Sequence, residues 1–101
     1  MAAKVRLIWT APALNDLDDI AAWITVDDEN AAQTLVARVL EGVERWQRFP
    51  LSGRWATELP GRIYREVVIP PCRVIYRREG SSVLVVHVMR EEQQLRSERV
   101  R

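Results

Sequence analysis

Tyr64-Arg65-Glu66-Val67-Val68-Ile69-Pro70-Pro71-Cys72-Arg73-Val74-Ile75-Tyr76-Arg77 is the stretch that decides how this chain folds. β-Branched and aromatic residues fill both halves, and a proline pair, which cannot sit inside a central strand, divides them. Two strands follow, near 62–69 and 72–79, joined by a stiff Pro70-Pro71 link. In the second, alternation sends Arg73, Ile75 and Arg77 to one face and Val74 and Tyr76 to the other. Glu79-Gly80-Ser81-Ser82 has hairpin-turn chemistry and leads into a third run near 82–89. The result is an antiparallel meander that carries guanidinium groups, a side chain suited to anions.

Upstream, the pattern changes to helical. Val5, Leu7 and Trp9 mark a short first strand, and Thr10 offers a hydroxyl cap with Pro12 in the turn that follows. Leu14, Leu17, Ile20, Ala21 and Ile24 then recur at steps of three and four, opposite Asn15, Asp16, Asp18 and Asp19. Val26-Asp27-Asp28-Glu29-Asn30 breaks this helix, and Asp28 or Asn30 caps the next. The second apolar stripe, Ala32, Leu35, Val36, Val39, Leu40, Val43 and Trp46, must end before Pro50. So short a linker predicts an antiparallel helix hairpin. Ser52-Gly53 and Pro60-Gly61 bound a loop holding Trp55, and residues 90–101 are charged, with a helical turn expected around Glu91–Leu95 and a frayed tail from about 96. The order β-α-α-β-β-β gives an α+β fold. The helix hairpin packs on one face of a small, mostly antiparallel sheet and leaves the other open.

At 101 residues the chain makes a single domain with one modest core. No apolar run is long enough to cross a membrane, and the N-terminal residues lack the apolar region of a secretory signal, so a cytoplasmic protein is expected. Cys72 is the only cysteine and His87 the only histidine, with no H-E-x-x-H or C-x-x-C spacing and no phosphate-cradling glycine loop. Neither a metal nor a cofactor is therefore expected. No G-x-S-x-G elbow supports a serine nucleophile. Charge is polarised: residues 1–61 carry six basic and nine acidic groups, residues 62–101 nine and five. Fourteen arginines against one lysine suit bidentate recognition, although a GC-rich genome yields the same bias.

Arg65, Arg73, Arg77 and Arg90 are the candidate patch, expected to converge on the open sheet face. The competing arrangement is a solvated face with ion pairs to Glu66 and Glu79. His87 reads first as a hydrogen-bonded histidine at the sheet margin, on the face of Val83, Val85 and Met89, and second as a general acid or base. Trp9 and Trp46 follow the core stripes. Trp23 and Trp55 do not, and read as edge packing or as partner anchors.

With this order in place, the chain resembles the RelE/ParE superfamily of toxins from type II toxin–antitoxin modules. The resemblance runs from residue 5 to about 95. It rests on Ala13 to Ile24, Asn30-Ala31-Ala32, Phe49-Pro50, Gly53-Arg54, Gly61, Tyr64-Arg65-Glu66, Arg73 to Arg77 and His87-x-x-Arg90. It implies a toxin neutralised by a cognate antitoxin that wraps the helix hairpin and sheet in a heteromeric complex, with Trp23, Trp55 and Arg73 as antitoxin contacts. RelE-like members cleave mRNA on the ribosome; ParE-like members inhibit DNA gyrase. Arg73 matches the arginine that RelE-like enzymes place on phosphate, and Arg65 and Arg90 match other basic positions.

The departures favour the ParE-like branch. No tyrosine or histidine follows Arg90, Val67 stands where a second basic residue would be, and Tyr64-Arg65-Glu66 with Pro70 resembles the ParE-like pattern. A phosphate clamp without a proton shuttle suits binding rather than cleavage. The expectation is a gyrase inhibitor acting through Arg65, Arg73, Arg77 and Arg90, with no catalytic residues. The alternatives are a ribosome-dependent endoribonuclease using Arg65, Arg73, His87 and Arg90, and a non-toxic member that retains antitoxin binding.

Overall fold

The computed structural model describes residues 5–91, so the helical turn and tail expected beyond Glu91 lie outside the described residues. Strand β1 (Arg6–Trp9) is followed by helices α1 (Ala11–Thr25) and α2 (Glu29–Glu44). Then come the edge strand β2 (Arg54–Trp55) and the meander β3 (Tyr64–Ile69), β4 (Cys72–Glu79) and β5 (Ser82–Arg90). The five strands form one sheet in the order β1-β5-β4-β3-β2, with β1 parallel to β5 and the remaining pairs antiparallel. Two helices on a mostly antiparallel sheet are the architecture expected. The strand β2 is an addition, because two residues are too few to show a period.

The caps follow from side-chain chemistry. Thr10 Oγ1 accepts from the Ala13 N–H at 3.4 Å and donates to the Val85 carbonyl at 2.7 Å, tying the start of α1 to β5. Asp28, rather than Asn30, caps α2 by accepting from the Ala31 N–H at 3.1 Å. Helix α2 runs on into a 3-10 turn, Arg45–Gln47, before Pro50.

The main core joins Leu17 and Ile20 of α1, Leu35, Val39 and Val43 of α2, and Trp46 to Val74, Tyr76, Val83, Val85 and Val88. Trp46 and Tyr76 stack with ring centroids 3.7 Å apart. Aromatic rings of this size each bury surface worth about 4–6 kcal/mol. Leu14 and Leu40, read as stripe residues, are exposed, while Ala13 is buried in the place expected for Leu14. The second sheet face is not fully open. The segment after β2 folds over it, and Ala56 and Leu59 close a smaller core with Ile75, Val86 and Met89.

Strand β5 also breaks the expected alternation. Ile75 pairs with His87 but Tyr76 pairs with Val85, so Val86 is an extra, bulged residue. Val83 and Val85 therefore join the main core, whereas Val86 and Met89 join the second. The face assigned to His87 with Val83 and Val85 is corrected accordingly: His87 lies opposite Ile75, a member of the second core.

Candidate functional site

Alternation puts Glu66 and Val68 of β3 on one face, and the register sets Arg73 of β4 against Val68. Glu66 and Arg73 thus meet on the face that the 56–59 segment overhangs. Arg73 Nε donates to Glu66 Oε2 at 2.7 Å, and its Nη2 reaches the same oxygen. Arg54 Nε takes the other oxygen, Oε1, at 2.7 Å. Glu58 completes the group, with Oε2 2.9 Å from Arg73 Nη2. These residues line a cleft of about 490 Å³ together with Trp55, Thr57, Val68 and Glu91.

Arg73 and Glu66 are buried, at 8% and 4% exposure. Burial alone would lower the Arg73 pKa, but its bonds to Glu66 and Glu58 overcome this and raise it. For Glu58, burial pushes the carboxyl up, and its backbone hydrogen bond together with the Arg73 and Arg54 guanidiniums brings it below the ordinary value. The expectation that Arg73 is exposed is corrected by this geometry: the side chain is buried and its cation is paired with Glu66 and Glu58. A phosphate here would face two carboxylates, and like charges about 4 Å apart repel by about 4 kcal/mol at an effective dielectric near 20.

The other three arginines do not converge with it. Arg65 lies on the opposite face from Glu66, in register with Trp55 and Tyr76. Its guanidinium sits 3.8 Å over the Trp55 ring and donates to the carbonyls of Gly53 at 2.8 Å and Leu51 at 3.4 Å. Arg90, paired with Cys72 of the main core, places its guanidinium 4.7 Å over Trp23 of α1. Arg77 shares the face of Arg73 but pairs with Glu79 at 2.6 Å. The single arginine patch is therefore replaced by separate arrangements on two faces. The weaker expectation, ion pairs to Glu66 and Glu79, describes Arg73 and Arg77.

His87 is buried and its Nδ1 lies 2.6 Å from Asp16 Oδ2. The same oxygen accepts the Val88 N–H at 3.1 Å, past the point where β1 stops pairing with β5. Asp16, read as a solvent-facing acid, instead covers the freed edge of β5. Nothing in the residue pattern signals that Glu58 would reach Arg73 or that Arg54 would reach Glu66, because both contacts depend on the path of the loop around β2.

Trp23 remains 63% exposed and Trp55 36%, each with an arginine stacked on it. A groove of about 470 Å³ runs along the helix hairpin, lined chiefly by Ala32, Val36, Ala37, Leu40 and Ala21. Among the described residues no group of three or more His, Cys, Asp and Glu side chains could hold a metal, and no helix is long and apolar enough to cross a membrane. The site offers apolar and stacked aromatic contact surfaces, and an ion-pair cluster that holds the sheet face together.

Residues 7–95 match the family model described as the ParE toxin of the type II toxin–antitoxin system parDE. A protein of Sinorhizobium fredii (strain NBRC 101917 / NGR234), Y4kP, whose name describes it as a candidate toxin, is 38% identical over 95 residues. The alignment spans 91% of this chain and 94% of that protein. A solved chain described as the chromosomal ParDE toxin–antitoxin system from P. aeruginosa superposes with a TM-score of 0.75 at 23% identity. It covers 90% of this chain and 100% of its own, and so shares the fold. With nearly its whole length inside that family model, this chain belongs to the ParE toxins of type II toxin–antitoxin systems.

Proposed function

We propose that this protein arrests growth in the cytoplasm by binding DNA gyrase directly, and that a cognate antitoxin in a heteromeric complex neutralises it. The observation that carries this reading is the state of the two groups a nuclease would need. Arg73 is buried between Glu66 and Glu58, and His87, the chain's one histidine, is bonded to Asp16. Cleavage by 2′-hydroxyl attack asks for a free cation at the phosphate and a proton carrier within hydrogen-bond reach of the moving proton. Here the Arg73 cation is already paired and both side chains are buried, at 8% and 7% exposure, which supports binding rather than cleavage.

For the antitoxin, the exposed Trp23 and the groove along α1 and α2 suit an apolar helical or extended segment, and Trp55 offers a second contact. Arg73 takes no part in this contact. The test is supercoiling of relaxed plasmid by gyrase and ATP with purified, antitoxin-free protein added. Loss of supercoiling at stoichiometric protein is expected. Full supercoiling in the presence of folded protein would overturn the gyrase assignment.

A further inference from the structure

Resting on that gyrase reading, we infer that the loop Phe49 to Gly53 is a preformed docking knob. It seats in an apolar pocket of the target protein that is rimmed by carboxylates. Phe49 and Leu51 are 61% and 60% exposed, and neither belongs to either core. One large apolar side chain in solvent is ordinary; two, a residue apart, on a loop held from several sides are not.

The restraints are specific. The Phe49 N–H donates to the Arg45 carbonyl and the Ser52 N–H to the Phe49 carbonyl, both at 3.0 Å. The Gly53 N–H donates to Tyr76 Oη at 2.8 Å, and Arg65 binds the carbonyls of Leu51 and Gly53 from its stacked position on Trp55. Gly53 is required, since a Cβ there would lie 2.5 Å from Tyr76 Oη and 2.8 Å from the Glu66 carbonyl oxygen. The knob is therefore ordered before any partner arrives, which removes an entropy cost from association.

Charge decides the partner's chemistry. The groove of about 360 Å³ beside the knob is lined by Phe49, Pro50, Leu51, Ser52 and Arg78, so its one charged wall is positive. Arg78 Nε is held by the Gly80 carbonyl at 3.1 Å, and the adjacent Glu79 is drawn to Arg77. The complementary surface is thus apolar at its centre and acidic at its rim. The helix-hairpin groove, which includes Glu29, has a different lining, so the two surfaces can receive different partners.

The experiment titrates wild type, Phe49→Ser/Leu51→Ser and Arg78→Glu against gyrase holoenzyme in the supercoiling assay at low and moderate salt. The double variant should need about 30-fold more protein for half inhibition, the scale of an interface hot spot. Arg78→Glu should need about tenfold more, with the salt sensitivity of the wild type lost. All three should melt within a few degrees of one another. If the double variant loses its melting transition, Arg78→Glu, exposed at the end of β4, carries the test alone. Folded variants that inhibit like wild type overturn the knob and leave the gyrase reading standing. Wild type without effect on supercoiling overturns both.

Discussion

Replacing Glu66 by leucine should be among the most damaging single changes in this protein. Its carboxylate accepts from Arg54 on one oxygen and from Arg73 on the other, at 4% exposure. Its removal leaves a buried guanidinium with Glu58 as its remaining carboxylate, on a side chain 39% exposed. Breaking a buried pair from one side costs about 3–5 kcal/mol, and partial compensation by Glu58 places this case near the lower bound, at about 3 kcal/mol. For a domain of this size that corresponds to a fall of about 12–24 °C in Tm. The double variant Glu66→Leu/Arg73→Met removes both charges and leaves apolar side chains beside Ile75, the register partner of Glu66, and Val68 and Met89, those of Arg73. It should recover to within about 1 kcal/mol of wild type, because well-packed apolar replacements of buried pairs are often neutral. Urea unfolding followed by tryptophan fluorescence reads both, with the fully buried Trp46 as the reporter. A Glu66→Leu protein that melts within about 4 °C of wild type would refute the claim that the cluster holds this sheet face.

Tyr76 should contribute to a loss of stability at alkaline pH. Burial raises its pKa despite the Gly53 N–H and the nearby Arg65 charge, so the unfolded chain ionises first. Stability from this group is whole below about pH 10 and falls as pH rises toward the folded value, a decline that Tyr76→Phe should lessen. At neutral pH the same variant should lose about 1–3 kcal/mol, because the buried Gly53 N–H loses its acceptor. Gly53→Ala should cost about 1–3 kcal/mol or more, since backbone as well as side chain stands in the way. Gly42→Ala meets only Ile69 side-chain atoms and should be milder, a ranking thermal melts can check. His87→Ala should keep growth inhibition at equal expression, with Asp16 still holding the Val88 N–H; loss of toxicity with an intact fold would restore the nuclease alternative.

Much of the architecture was written in local patterns. The stripes of α1 and α2, the Thr10 cap and the strand runs around Pro70-Pro71 and Gly80 each report backbone geometry within a few residues. The site was less legible, because it depends on what covers a face. Alternation assigned Arg73 correctly to the face away from the helices, yet nothing in the period of β4 says that Leu59 and Glu58 fold over it. Glu66 lies near Arg65 in sequence but on the other side of the sheet, so the two arginines once expected to share a patch are separated by the sheet itself. The bulge at Val86 shifts the side chains after it by one position, and it falls within the apolar run Val83 to Val86, where no change of residue type marks it. Asp16 looked like a solvent-facing acid, and only the end of β1 at Trp9 leaves a β5 N–H for it to accept.

The central claim, a toxin that acts by binding gyrase rather than by cutting RNA, is tested most directly by following two products in one cell extract. Purified protein is added to an extract that is translating a labelled mRNA in the presence of gyrase and a closed circular plasmid. The account predicts that linear, gyrase-linked DNA accumulates with dose while the mRNA stays full length. Fragmented mRNA with undamaged plasmid would contradict it.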